Sequence, residues 1–251
     1  MSDGAPVTRS GSGDRPSARR ARADSGDGLP AGPALDALLR VAAALPGGDE
    51  GALRAALEEA RRRCSAQRIE EALLQAYLFL GFPAAINAFA VWREETAAEP
   101  GEGGEDPDLE TRRREGEARC RLIYGRAYER LRARMRVLHP ALDRWMIEEG
   151  YGKGLARPGL TVRERELCAV SLLAAGGFGP QLGAHARGAL HAGASPAEVE
   201  RAVEIGTEAT RAHAERRPDP AAMRDVWKAI EERLNEEGLN DGCSSISSGS
   251  G

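Results

Sequence analysis

The chain has 251 residues, 41% hydrophobic and 29% charged, with a formal net charge of −4. That length suits one large domain or two small ones, and that balance is typical of globular chains. The negative charge argues against electrostatic capture of nucleic acid. No run approaches about 18 consecutive apolar residues, so no membrane-spanning helix is expected.

The first residues are Ser, Asp, Gly and Pro rather than a basic and then apolar run, unlike a secretory leader. The four cysteines form no CxxC or CxxxC pair, which provides neither a disulfide framework nor a zinc site. A reduced, cytoplasmic protein without metal or cofactor is expected. Lys153 and Lys228 are the only lysines among 35 basic residues, so arginine runs here say little about phosphate binding. Aromatic residues are only 4%, and a core of Leu, Ala, Val and Ile suits close-packed helices.

Residues 1–32 are rich in Ser, Gly, Pro, Ala, Arg and Asp and hold few large apolar groups, which predicts a disordered tail. Residues 237–251 read as a second flexible tail. From Pro33 to Glu95 the pattern is helical. Leu35, Leu38, Leu39, Ala42 and Leu45 share one face, and Leu53, Ala56, Leu57 and Ala60 another. Ser65 is placed to cap a third helix carrying Ile69, Leu73, Ala76 and Leu80. Gly81-Phe82-Pro83 breaks it, and a fourth helix carries Ile86, Phe89 and Trp92.

Residues 96–111, with Pro and Gly among Glu and Asp, read as an acidic linker between two halves, 33–95 and 112–236. One apolar face then runs from Ile123 to Leu138, amid the arginines of residues 119–136, which read as a solvated face. Ala141–Glu149 predicts a short helix, and Gly150–Gly159 a glycine-dense loop. Thr161 with Glu164 forms a capping box for the next helix. Another helix covers Pro180–Ala192, and Ser195-Pro196 opens one more. Pro218 and Pro220 end that helix, and a last one covers Ala221–Glu236. No strand is predicted, so the fold class is all-α.

Arg157-Pro-Gly-Leu with the following Arg-Glu-Leu, then His185-x3-Ala189-x3-Gly193, then Ser195-Pro-x-Glu198, recur in an ordered set. This set resembles the carboxymuconolactone decarboxylase family, which shares its helical bundle with alkylhydroperoxidase D-like proteins. It covers roughly residues 119–205. The stretch from Glu71 to Phe89, with its Gly-Phe-Pro break and Ala-x-Asn-Ala-Phe run, resembles the other end of the same family domain. In single-domain members the histidine helix precedes that stretch; here it follows. A tandem repeat with each copy keeping a different half would explain this order, and so would a circular permutation. An offset of 130 residues sets Asp36 opposite Glu166, Ser65 opposite Ser195, Ile69 opposite Val199 and Ala55 opposite His185.

The resemblance implies decarboxylation of a small carboxylated substrate, usually in a homo-oligomer and without a cofactor. Such a reaction needs carboxylate binding, stabilisation of an enolate and protonation of carbon. His185 is the implied proton donor, and Glu166, 19 residues earlier, the acidic partner of its imidazole. Arg157 is a candidate carboxylate clamp, with Arg163, Arg187 and Asn87 as further binding residues. The thiol chemistry of the alkylhydroperoxidase D-like proteins needs a CxxC pair where this chain has Phe178 and Gln181, so peroxidase activity ranks last. A non-catalytic helical scaffold of the same fold is the alternative. His191 lies six residues from His185, about 600° around the helix, so the two rings do not share a face. His139 and His213 read as helix-end and helix-surface residues.

Overall fold

In a computed structural model, Met1, residues 32–96 and 106–214, and Lys228 are described. The expected tails, most of the acidic linker and the helix expected at 221–236 lie outside the described residues. Among the described residues the architecture is all-α, without a strand.

Helix α1 (Pro33–Ala44) starts on a proline and buries Leu38, Leu39 and Val41 completely. Helix α2 (Glu50–Arg61) is capped by Asp49, whose carboxylate accepts from the Ala52 amide at 3.2 Å. Ser65 opens α3 (Ala66–Thr96), its hydroxyl accepting from the Arg68 amide at 3.4 Å. Gly81 (φ 78°, ψ 179°) kinks α3 in a conformation open to glycine alone, and Pro83 follows in the first turn of the second arm. The two arms are the helices expected on either side of Gly-Phe-Pro.

Helix α3 bears on the expectation that no helix spans a membrane. It is the described helix long and apolar enough to cross a membrane, with a mean hydropathy of 1.5 over its best window. Its apolar residues are interleaved with polar ones, so no unbroken run betrays them. The kink at Gly81 leaves two arms, each shorter than the ~20 residues a span requires. Ile69, Leu73, Ala76, Ala88 and Trp92 of α3 are buried in the protein's own core.

After the linker, α4 (Leu109–Tyr124) is capped by Asp108, which accepts from the Thr111 amide at 2.8 Å. The single apolar face expected from Ile123 to Leu138 is interrupted. Gly125 (φ 49°) ends α4, a turn of 3₁₀ helix covers Gly125–Ala127, and α5 (Tyr128–Leu138) follows on a new axis. The arginines here are partly internal. Arg132 grips the buried Asp143 carboxylate of α6 (Pro140–Trp145) through Nε and, at 2.9 Å, Nη2, and donates to the Tyr128 hydroxyl at 2.6 Å. The Arg121 guanidinium lies 3.9 Å from the Tyr128 ring centroid.

The glycine-dense loop expected at 150–159 is mostly helical. Helix α6 ends at Trp145, and a π-helix runs from Met146 to Gly154. Its glycines serve packing. A Cβ on Gly152 would lie 2.8 Å from the Arg112 carbonyl carbon, and one on Gly116 would lie 2.9 Å from the Gly152 nitrogen. The backbones of α4 and the π-helix therefore touch where any side chain would hold them apart. The wide i→i+5 winding, seen in the Leu155 amide donating to the Gly150 carbonyl at 2.8 Å, is rare and is tolerated where packing compensates.

Thr161 and Glu164 form the expected capping box on α7 (Val162–Ala175). Helix α8 (Gly179–His191) follows. Ser195 and Glu198 reciprocate in the same way at the start of α9 (Pro196–Ala214): Glu198 accepts from the Ser195 amide at 2.8 Å, and Ser195 accepts from the Glu198 amide at 3.3 Å. Helices α1, α2 and α3 share one core with α7, α8 and α9, so the stretches on either side of the linker bury a common interior. A smaller cluster, Cys120, Ile123, Tyr128, Ile147, Tyr151 and Leu155, joins α4, α5 and the π-helix. The candidate site lies where the two clusters meet.

Candidate functional site

Helix α7 is buried nearly all round, which forces its charged residues to find partners inside the protein. Glu166, 1% exposed at its side chain, reaches His185 on α8, and its Oε2 lies 2.9 Å from His185 Nδ1. The imidazole is 11% exposed. The Phe79 ring of α3 meets it edge-on, with centroids 5.3 Å apart. A carboxylate on Nδ1 fixes the ring and selects the tautomer with hydrogen on that nitrogen, leaving Nε2 for chemistry.

Gly188, one turn after His185, makes this contact sterically feasible. A Cβ there would lie 2.5 Å from Glu166 Oε2 and 2.8 Å from Ile123 Cγ2. The signal was in the sequence, since a glycine inside a helix costs about 1 kcal/mol and usually has a packing reason. The sequence reading passed over it.

His185 lines a cleft of about 940 Å³ between α3, α5, α6, the π-helix and α8. Tyr77, Leu78 and Phe79 form one wall, and Tyr124 and Tyr151 stand near the dyad. The Tyr151 hydroxyl donates to the Tyr124 oxygen at 2.9 Å. Tyr151 is 4% exposed, so the reverse arrangement would bury its own O–H unpaired. The arrangement leaves the Tyr124 proton free to be donated. Burial pushes the Tyr124 phenol up to about 12, eased slightly by the Tyr151 bond, and burial drives Tyr151 well above the ordinary tyrosine range. Both are neutral hydrogen-bonding groups at physiological pH.

The remaining sequence candidates are scattered. Arg157 does not line this cleft. Its Nε donates to both Glu71 oxygens, at 3.0 and 3.1 Å. The same carboxylate accepts from Arg165 Nη2 at 2.8 Å, and that nitrogen also donates to the Arg157 and Pro158 carbonyls. Gln75 donates to the Arg165 carbonyl at 2.7 Å. This buried network ties the Arg-Pro-Gly-Leu turn to α3. Arg163 pairs with Glu198 at 2.5 Å, bracing α7 against α9. Arg187 and Asn87 are exposed, and neither lines the cleft.

Of the CxxC-equivalent positions, Gln181 lines the cleft and Phe178 is 42% exposed. His139 caps α6, its Nδ1 accepting from the Ala141 amide at 3.0 Å. His191 contacts the Ile123 carbonyl through Nδ1. Among the described residues no three His, Cys, Asp or Glu side chains gather as a metal-binding group.

Residues 140–217 match the carboxymuconolactone decarboxylase family model. Over that segment the chain is carboxymuconolactone decarboxylase-like. The match takes in α6 through α9, and with them Glu166, His185 and Gly188. The all-α architecture agrees with the alkylhydroperoxidase D-like bundle of that family. The match does not extend to α1–α5, so the Glu71–Phe89 stretch lies outside it. No curated protein matches the chain.

Proposed function

We propose that the chain is a cofactor-free carboxy-lyase acting on a small carboxylated lactone or a related acid, with His185 as proton donor. The reading includes a cytoplasmic homo-oligomer. The observation that carries it is the 2.9 Å contact between His185 Nδ1 and the buried Glu166 carboxylate at the edge of the cleft.

Decarboxylation breaks the bond between the carboxylate carbon and its neighbour. The electron pair passes into an adjacent carbonyl as an enolate, and CO2 leaves. Glu166 stabilises the imidazolium that must be present to deliver a proton to the carbon. Tyr124, whose oxygen already accepts from Tyr151, directs its remaining proton at the oxygen where negative charge develops. Phe79 packs edge-on against the imidazole and shields that face of the ring.

The test is turnover of carboxymuconolactone by the purified chain, followed by ultraviolet absorbance and CO2 release. His185→Ala is expected to abolish turnover, and Glu166→Gln to reduce it by about 10²-fold. Circular dichroism and light scattering confirm that fold and assembly are intact. Wild-type turnover that survives His185→Ala would remove the histidine from the reaction.

The non-catalytic reading draws on one observation. Arg157 and Arg163, two of the arginines expected to hold substrate carboxylates, are engaged by Glu71 and Glu198 of the same chain. Failure of the wild-type chain to turn over any acid would favour it. Thiol peroxidase chemistry has little support, because Phe178 and Gln181 replace the cysteines it uses and burial pushes Cys120 and Cys168 up to about 12.

A further inference from the structure

The wall of the cleft formed by α5 and α6 carries a pattern that a small lactone does not require. On α5, Leu131, Arg134, Met135 and Leu138 all line the cleft. Their spacing of three, four and seven places them on one helical stripe, in which Arg134 is the only charge. The stripe continues onto α6 through Leu142 and Trp145. Leu138, Leu142 and Trp145 remain 61%, 45% and 53% exposed. Apolar surface of this kind, gathered in a concave site, marks a place where an apolar body binds.

The charges of the cleft sharpen this. Glu148 is met by Arg113 at 2.6 Å, and Glu149 by Arg112 at 3.7 Å and Lys153 at 3.9 Å. Glu166 is occupied by His185. Arg132, two residues before, takes Glu117 and Asp143, and among the described residues the exposed Arg134 makes no ion pair. The lining therefore offers one guanidinium without a carboxylate partner, exposed at the mouth of the cleft beside Leu131, Met135 and Leu138. At about 940 Å³ the cleft is at the large end for small-molecule sites.

We infer that the cleft takes an acid with an extended apolar body, anchored by one carboxylate on Arg134 and lying against Leu138, Leu142 and Trp145. This narrows the substrate class of the preceding reading and rests on it for the reaction. The reacting end then meets His185 and Tyr124, where no uncommitted arginine lines the cleft. A cation on a departing carboxylate would stabilise the ground state, so this division of charge suits the chemistry.

Binding of decanoate to the full chain, read by Trp145 fluorescence with Trp145→Phe as the control for the reporter, tests the inference. Decanoate is expected to bind saturably and more tightly than uncharged decanamide. R134Q should weaken decanoate about tenfold or more while leaving decanamide unchanged. The small dicarboxylate cis,cis-muconate should bind more weakly than decanoate.

Equal binding of decanoate and decanamide, indifference to R134Q, or a preference for muconate would each overturn the inference. So would an absence of decanoate binding together with a fall in assembly mass on Trp145→Arg, which would assign the wall to a second copy of the chain. Selective decanoate binding with no turnover of any acid would remove the lyase reading but leave the ligand class standing. Turnover of the lactone without decanoate binding would do the reverse.

Discussion

Gly188→Ala is expected to separate His185 from Glu166 without unfolding the chain. The new methyl carbon would lie 2.5 Å from Glu166 Oε2 and 3.1 Å from its Cδ, while Ile123 Cγ2 blocks the other side at 2.8 Å. The carboxylate is the mobile partner of the three, so it gives way. Alanine in place of a helical glycine contributes about 1 kcal/mol of stability. Against this stand roughly 1–3 kcal/mol of overpacking and about 1.5–3 kcal/mol for the displaced charge-assisted hydrogen bond. The net loss is on the order of 1.5–5 kcal/mol, a fall of roughly 3–20 °C in Tm for a domain of this size. Nitrogen-15 NMR of the imidazoles reads the dyad directly, because a hydrogen held between Nδ1 and a carboxylate gives a strongly downfield proton signal. The variant should lose that signal while its circular dichroism stays helical. A variant with a raised Tm and an unchanged His185 signal would refute the steric role given to Gly188.

Arg132 beside Asp143 holds that carboxyl below the usual aspartate range, with burial opposing and Arg136 assisting. A depressed folded value contributes stability that is present above the ordinary value of about 3.9 and is lost as pH falls through the folded one. Arg132→Met should therefore cost about 3 kcal/mol at pH 7 and give a shallower loss of stability between pH 5 and 2. Parallel pH–stability curves for the variant and wild type in urea titrations would contradict this. At pH 8 a thiol with a value of about 12 is ionised about once in 10⁴ molecules. Cys120 and Cys168 should accordingly resist dithionitrobenzoate until guanidinium unfolds the chain. Rapid labelling of either in the native protein, identified by peptide mass, would show that the burial assigned to α4 or α7 is wrong.

The features legible in the sequence are those set by near neighbours. Thr161 with Glu164 and Ser195 with Glu198 are three residues apart, and both close as capping boxes. The pairing of His185 with Glu166 was reached through a resemblance that fixes their 19-residue spacing, and the geometry brings them together. The features that escaped depend on distant partners. Arg157 seemed available for a substrate because Glu71 lies 86 residues away in sequence. Gly150, Gly152 and Gly154 read as a loop because nothing local reveals that α4 must approach so closely. Tyr151 was lost in that same loop, and with it the hydroxyl pair at Tyr124. The break at Gly125 was hidden by apolar residues that keep helical spacing across it.

The bounds of α1, α2 and the first arm of α3, shifted by 130, fall within about two residues of those of α7, α8 and the start of α9.

The cleft takes its lining from both sides of the point where the family match begins. Glu166, His185 and Gly188 fall within the family match, whereas Phe79, Tyr124, Leu131 and Arg134 come from helices that precede it. The His185–Glu166 pair and the α5 wall of the cleft are thus carried by different helices. Substitutions in α3 and α5 can retune what enters the cleft while the histidine and its carboxylate stay fixed on α7 and α8.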